Sequence, residues 1–251
     1  MKRYLSSLPG GRPENDGTLK RYLMIATYIN RDFDGNFTGK TRISGEYTKG
    51  SEDGYVKWNN VFLSGSNSYS ESFPVGERQD FMENFRYIPS DKMLSSEVFR
   101  DFPATPENVF ARNLIWDMLS LNIFAWDFSD SLKLNEPYSI PGLNFQFDMA
   151  EIGKYTHNKI LLCWSGISVI NNEICSVIEF SATDNFLEIA MPGVRTKGAE
   201  QYWGTIWVSV RTREIEQAFM YSGTAQEIEV ESMNNTFLLK TSREIEVRRI
   251  Y

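Results

Sequence analysis

The sequence predicts a mainly β protein: one large curved antiparallel sheet, a half-barrel or a barrel, with one major α-helix packed on or in it. Strand-like segments follow one another from residue 143 to the C-terminus with short connections, as in an antiparallel meander. Only the segment at about 105–126 has the pattern of a long apolar helix. No alternation of strands and helices indicates a parallel sheet, and a β domain of 251 residues can be a single unit.

The N-terminal part of the chain divides into an arm and a first group of strands. Residues 1–17 are rich in Pro, Gly and Asn, and we expect a flexible arm there, followed by one domain over residues 18–251. Three strands are predicted within residues 19–66, separated by the turn-forming segments Arg31–Asn36 and Lys49–Gly54. The stretch Val75–Pro103 is less regular and fits short helical turns.

The central helix is the element with the clearest local signals. Thr105 is a suitable N-cap, Pro106 fits the first helical position, and Glu107 suits the positive end of the helix. Such an apolar helix must be buried against something large. On a helical wheel one continuous apolar face contains Phe110, Leu114, Met118, Leu121 and Ala125.

The same helix carries a narrow polar stripe. Asn113, Asp117 and Ser120 align along it, and Trp116 lies close to it. If the helix lines a cavity, this stripe is its polar row, and Asn113, Trp116 and Asp117 are candidate ligand contacts. A partly desolvated Asp117 would then have a raised pKa that suits proton transfer. The alternative is a salt-bridged structural carboxylate.

The C-terminal half is predicted to consist of short strands. The two cysteines, Cys163 and Cys175, lie on a hairpin that turns at residues 171–172, too far apart or on opposite faces for a disulfide, so we expect reduced thiols. Glu179, on the same hairpin, is a second candidate acid or base, with an exposed edge carboxylate as the alternative. The predicted strands are 143–149, 159–170, 173–181, 186–193, 202–210, 214–221, 227–232, 236–242 and 244–251.

The hairpin around residues 212–213 has large aromatic rings on both faces of its first strand. A two-residue turn there places Trp203 opposite Ser222, with Trp207 on the same face and Tyr202 on the other. Both faces are therefore expected to need cover. Two interpretations stay open: the tryptophans are core residues, or at least one of them contacts a ligand.

A resemblance adds to this reading of the C-terminal half. The hairpin pattern, together with a long antiparallel sheet and a helix against its concave face, resembles the LolA and LppX half-barrel carriers of lipid-modified cargo. The resemblance implies an open sheet around an apolar ligand, although the chain departs from these carriers in having no export signal. The residues that carry the pattern are Gly204, Ile206, Val208, Thr212 and Ile215.

Composition excludes some function classes. A formal net charge of −7 argues against sequence-independent nucleic-acid binding, which needs a basic face. The apolar run Tyr22–Ile29 is too short to span a bilayer. No export signal is visible in the given sequence, so we expect a cytoplasmic location, with a removed export signal as the open alternative. The oligomeric state also stays open. The single histidine and the two distant cysteines show no metal-ligand spacing, so neither a metal nor a cofactor is predicted.

Three functional hypotheses follow. The first is the binding of an apolar or aromatic small molecule in a β-sheet cavity, against Trp203, Trp207, Trp164 and the helix, with Tyr202, Asn113 or Asp117 fixing its orientation. The second is a cofactor-free cyclase or isomerase in the same cavity, with Asp117 or Glu179 as general acid or base. The third is a protein-interaction module.

Overall fold

The computed structural model describes residue 8 and residues 10–103, 105, 108–142, 145–191, 193–233 and 235–251. Among these, 13 strands form one large antiparallel sheet that is not closed. The strands are β1 Lys20–Asp32, β2 Phe37–Lys49, β3 Val56–Ser66, β4 Glu77–Arg78, β5 Arg86–Tyr87, β6 Tyr138–Ser139, β7 Phe145–Asp148, β8 Gly153–His157, β9 Lys159–Ile170, β10 Glu173–Met191, β11 Val194–Ser209, β12 Ile215–Val230 and β13 Asn235–Ile250.

Two meanders share this sheet. The spatial order is β4-β3-β2-β1-β13-β12-β11-β10-β8-β7, with β9 also paired to β10, β5 to β3 and β6 to β9. The N-terminal meander therefore joins the C-terminal one through the pairing of β1 with β13. The predicted fold class is confirmed, and the open sheet excludes the barrel alternative.

The helix α1, Asn108–Trp126, is the one α-helix in the described ranges. Its end agrees with the prediction, and Asn108 is the first helical residue in the described ranges. The amide of Asn108 donates to the carbonyl of Thr105 at 3.2 Å, while the proposed roles of Pro106 and Glu107 lie outside the described residues. The predicted burial is confirmed for Leu114, Ile115, Met118, Leu121 and Ala125, which are almost completely covered.

The sheet curves around this helix. The Nζ atom of Lys49, on β2, lies 4.4 Å from the ring centroid of Trp126. On the other side of the helix, the ring centroids of Phe124 and Phe180, on β10, are 5.0 Å apart. Strands β2 and β10 are five spacings apart in the sheet, or about 24 Å, whereas a helix is only about 10 Å across. A flat sheet could not contact both sides of α1, so the helix lies on a concave face.

Four C-terminal strands are longer than predicted: β11 begins at Val194 instead of Tyr202, and the other three join segments that were predicted separately. The segments predicted separately within 173–193, 214–232 and 236–251 join into β10, β12 and β13. In β10 the join is a β-bulge between Ala182 and Asn185. In β12 and β13 the inward positions carry polar side chains, which interrupt the apolar alternation but not the strand pairing.

The register of the β11–β12 hairpin also differs from the prediction. A four-residue loop, 210–213, replaces the two-residue turn, and a bulge before Val208 shifts the pairing by one residue. Trp203 therefore lies opposite Tyr221 instead of Ser222, with the two rings stacked at 6.3 Å. Trp203 is 47 % exposed, so the expectation that both faces of this strand are covered is wrong.

The β9–β10 hairpin follows its prediction more closely. The two-residue turn at 171–172 is confirmed, with positive φ at both asparagines, as a type I′ turn requires. Cys163 lies opposite Glu179 on the convex face, while Cys175 is buried. Both thiols are free, as predicted.

The described part of the N-terminal arm contacts the end of the helix region. The amide of Gly11 donates to Ser129 Oγ at 3.0 Å, and Arg12 forms an ion pair of 2.8 Å with Asp127. The backbone carbonyl of Arg12 also accepts from Arg213 at 3.4 Å. Residues 10–13 thus lie across one end of the space between helix and sheet.

Candidate functional site

A groove with a volume of about 1150 Å³ runs between α1 and the concave face of the sheet. From the helix it is lined by a broad face, whose central row has residues three or four positions apart. The lining extends from Val109 to Trp126, so the groove is roughly 25 Å long at 1.5 Å per residue. The central row is Val109, Asn113, Trp116, Ser120 and Ile123, and it is flanked by Phe110, Asp117, Leu119, Asn122 and Trp126.

One wall of the groove is apolar. It comes from β7, β8, the distal half of β10 and the turn before β8, where Met149, Tyr155 and Leu187 form a small hydrophobic cluster separate from the main core. Trp116 packs against this cluster from the helix side. On the helix, Ile123 is 41 % exposed, and Ile88, which also lines the groove, is 52 % exposed. The groove therefore presents apolar side chains that the protein itself does not bury.

The floor of the groove is formed by the concave face of the sheet. Along the strands, the inward residues of this face change from apolar to polar. The rows nearest the centre of the helix are apolar; one of them pairs Ala26, Ile245 and Met220 across β1, β13 and β12. Two residues further along the strands the rows become polar. The first polar row is Tyr28, Arg243, Ser222 and Tyr202, and the second is Asn30, Thr241, Thr224 and Glu200. All eight polar residues line the groove.

Three charged side chains meet at these polar rows. Arg243 Nη2 donates to Asp117 Oδ2 on the helix, and Arg243 Nη1 lies 3.6 Å from Glu200 Oε1. Each of the three side chains is no more than 13 % exposed. The hydroxyl of Tyr155 donates to Glu200 Oε2 at 2.7 Å, and the guanidinium carbon of Arg243 lies 5.1 Å from the ring centroid of Tyr28. We call Asp117, Glu200 and Arg243 the charged triad.

Burial dominates the electrostatics of the triad. Desolvation raises the pKa of Asp117 to about 6, with Arg243 opposing the rise and Glu200 adding to it. Desolvation alone would lower the pKa of Arg243, but the charges of Asp117 and Glu200 outweigh it, so that pKa is raised and the guanidinium stays charged. With one cation and two carboxylates, the triad has a formal charge of −1 when Asp117 is ionised.

Neighbouring titratable groups add no positive charge to the triad at neutral pH. His157 lines the groove, and burial lowers its pKa although Asn185, 3.3 Å from Nδ1, and Glu200 oppose this. Burial and the negative charge of Glu200 raise the pKa values of Tyr155 and Tyr202, so both hydroxyls stay protonated. The hydroxyl of Tyr202 can donate towards the groove, whereas that of Tyr155 already donates to Glu200.

A second charged cluster lies at the opposite end of the groove. Glu214, 1 % exposed, accepts from the hydroxyl of Tyr22 at 2.8 Å and pairs with Lys49 at 2.8 Å. Lys49 also lies over the rings of Tyr22 and Trp126. Burial lowers the pKa of Lys49, and the charge of Glu214 opposes that shift. Each charge here has its own partner, so this cluster is internally matched.

The structure brings four of the predicted site residues together. Asn113, Trp116, Asp117 and Tyr202 all line the groove. Asn113 donates to the hydroxyl of Tyr28 at 3.2 Å, and Trp116 Nε1 donates to the carbonyl of Met93 at 2.9 Å. The polar stripe predicted on the helix therefore faces the space between helix and sheet.

The other four predicted residues lie elsewhere. Trp164 is 2 % exposed in the core and donates to the carbonyl of Gly166 at 2.8 Å, outside the groove lining. Trp203, Trp207 and Glu179 alternate with inward residues and face the convex side of the sheet, where none of them lines the groove. Glu179 and Asp117 are thus on opposite sides of the sheet and cannot serve one cavity as a pair.

Sequence reasoning missed Arg243, Glu200, Ser222 and Tyr155. The signal that could have found part of this set is the polar alternation of β12 and β13. In β12 the alternate residues Ser222, Thr224 and Gln226 are polar, on the face that carries Met220 and Ala218 further back. Polar residues at inward positions of a buried face need a reason, and here they form the groove floor.

No group of three or more His, Cys, Asp or Glu side chains in the described part of the chain is arranged to hold a metal ion. No helix in the described ranges is long and apolar enough to cross a membrane.

Comparisons with known proteins give distant structural similarity only. No protein-family model matches the chain, and no curated protein matches it. A structure of lipid–protein interactions in lipovitellin is similar with a TM-score of 0.48 and 13 % identity, over 94 % of this chain and 25 % of that one. A DUF1329 family protein from Desulfovibrio piger is similar with a TM-score of 0.14 and 10 % identity, over 93 % of this chain and 87 % of that one.

The chain thus spans about a quarter of the lipovitellin chain that it resembles. At these TM-scores neither likeness bears on ligand or family, and the resemblance to LolA and LppX carriers stays a prediction beyond the large open sheet.

Proposed function

We propose that this protein binds an apolar or amphipathic small molecule in the groove between α1 and the concave face of the sheet. The observation that carries the proposal is the exposure of large apolar side chains, Ile123 and Ile88, inside a concave groove of about 1150 Å³. Ligand sites are concave, mostly apolar and supplied with a few convergent polar groups. Burial of those side chains by a ligand would stabilise the complex in proportion to the area removed from water.

The distribution of polarity supports an elongated ligand. The apolar wall around Met149 and Leu187 and the polar rows around Arg243 line the same groove. A molecule with an apolar body and a polar end would contact both, whereas a wholly apolar molecule would leave buried polar groups without partners. An amphipathic ligand therefore fits the groove better than a hydrocarbon.

The cyclase or isomerase alternative has less support. It would use Asp117 or Glu179 as acid or base, but Glu179 is exposed on the convex face. Asp117 is engaged by Arg243, which favours a role in holding the helix against the sheet and in orienting a ligand. No observation favours a specific reaction.

The experiment is a titration of the full chain with N-phenyl-1-naphthylamine, an uncharged apolar dye whose fluorescence rises in apolar surroundings. The groove variant is Ser120→Trp, because Ser120 lines the middle of the groove and, among the described residues, its hydroxyl bonds only to the carbonyl of Trp116 in its own helix. The control is Ser181→Trp, on β10 opposite Trp203 and outside the groove lining.

We expect Ser120→Trp to remove dye binding with little change in the melting temperature, and Ser181→Trp to bind as the unchanged protein does. Dye binding that survives Ser120→Trp would contradict the proposal. If the dye results agree with the proposal, native mass spectrometry of the purified chain would identify the class of natural ligand from an extra mass that is lost on denaturation.

A further inference from the structure

Two buried polar atoms at the groove floor have no hydrogen-bond partner among the described residues: Ser222 Oγ and Arg243 Nε. The two residues face each other directly across β12 and β13, and both line the groove. Ser222 is 3 % exposed. A buried donor or acceptor without a partner is costly, so two of them side by side at a groove floor indicate a place where a ligand completes the bonds.

The two atoms need different hydrogen-bond partners. Arg243 Nε carries one hydrogen and can only donate, so it needs an acceptor atom from the ligand. The hydroxyl of Ser222 can donate or accept. A ligand group that offers an oxygen with lone pairs therefore satisfies both atoms, whereas an ammonium group, which has donors only, leaves Arg243 Nε unpaired.

The charged triad limits the charge of that group. Arg243 is already opposed by Asp117 and Glu200, so the site has a formal charge of −1 before any ligand arrives. His157 adds no compensating positive charge, because burial lowers its pKa. A carboxylate head would be a third anion beside one cation, in a region where charges are poorly screened.

We propose that the groove selects amphiphiles whose polar head is uncharged and carries a hydroxyl or carbonyl oxygen, which binds between Ser222 and Arg243. This inference rests on the proposed function and specifies the ligand class for the same groove. The head oxygen accepts from Arg243 Nε and exchanges a hydrogen bond with Ser222 Oγ, while the chain lies along the apolar wall and Ile123.

The test uses three probes with the same twelve-carbon chain: 1-dodecanol, dodecanoate and dodecylamine. Each displaces N-phenyl-1-naphthylamine from the full chain at pH 8, below the concentration at which it forms micelles or, for dodecanol, separates from solution. We expect dodecanol to displace the dye at the lowest concentration and dodecanoate to need on the order of ten times more, from like-charge repulsion within the triad region. Dodecylamine is expected to be weaker than dodecanol.

Two variants assign the selectivity to these residues. Glu200→Gln keeps the acceptor for Tyr155 and removes one negative charge, so the gap between dodecanol and dodecanoate should shrink severalfold. Ser222→Ala should raise several-fold the dodecanol concentration needed to displace the dye, after correction for the variant's own dye affinity. A dodecanoate affinity equal to or above that of dodecanol, a dodecylamine affinity above it, or a gap that Glu200→Gln leaves unchanged would overturn the inference.

The two proposals fail in different ways. Dye binding in the groove without discrimination between heads overturns the head class and leaves the proposed function intact. No dye binding at all, in a chain that melts cooperatively, overturns both.

Discussion

Truncation of Ile123 should weaken ligand binding and cost the fold less than a core truncation does. Ile123 lies on the groove face of α1 and is 41 % exposed, so part of its apolar surface is left for a ligand to bury. Complete burial of an isoleucine side chain is worth about 1.5–3 kcal/mol, and a ligand that covers the exposed 41 % would gain about 0.6–1.2 kcal/mol from it. Ile123→Ala should therefore raise the dissociation constant about 3- to 8-fold.

The assay is dye titration by fluorescence, with thermal unfolding followed by circular dichroism on the same samples. Ile174→Ala is the matched control, because Ile174 is 40 % exposed and lies outside the groove lining. We expect no change in dye binding for the control. The reasoning would be refuted if both variants bound the dye equally well, or if Ile123→Ala lowered the melting temperature as a core truncation does.

Three further outcomes follow from the polar floor. Ser222→Ala should leave the free energy of unfolding unchanged or raise it by about 1 kcal/mol, because the hydroxyl it removes has no partner; chemical denaturation measures this. Asp117, with a folded pKa of about 6 against an ordinary 3.8, holds its proton more tightly when folded, so its contribution to stability should decline by up to about 3 kcal/mol as pH rises from 4 to 6. The difference in unfolding free energy between the unchanged protein and Asp117→Asn, measured from pH 4 to 7, should show this decline, and a flat difference would contradict it. Arg243→Leu should cost about 3–5 kcal/mol, because it leaves two carboxylates without their cation, and Glu200→Gln in that background should recover part of the loss.

The sequence predicted the helix side of the site well. The spacing of Asn113, Asp117 and Ser120 reflects a local, regular geometry, and caps and apolar periodicity fix where that helix lies in the chain. The structure places all three residues along the groove. Local periodicity is sufficient to predict which residues share a face when those residues lie on adjacent turns of one helix.

The sheet side could not be predicted in the same way. Arg243 meets Tyr28 and Ser222 only because β13 pairs with β1 and with β12 in particular registers. The pairing with β1 joins residues more than 200 positions apart, and one bulge changes the partners of every residue beyond it.

The alternation of side chains along a strand also does not show which set of residues faces the concave side of the sheet. It correctly places Tyr202 and Trp203 on opposite faces, but both faces carry large aromatic rings. The curvature around α1 decides that Tyr202 faces inward and Trp203 outward, and curvature is a property of the whole sheet. The lengths of β12 and β13 were underestimated because polar residues at inward positions interrupt the apolar alternation, although the strand pairing continues through them.

The most direct test of the central claim is to locate a bound ligand relative to the tryptophans. The chain has six, of which Trp116 and Trp126 line the groove while Trp203 and Trp207 face the convex side. A dodecanol brominated near its chain end quenches only tryptophans close to it. We expect it to quench the unchanged protein and the double variant Trp203→Phe/Trp207→Phe, and to lose most of its effect in Trp116→Phe/Trp126→Phe. The opposite pattern, with quenching that depends on Trp203 and Trp207, would place the ligand on the convex face and contradict the groove as the binding site.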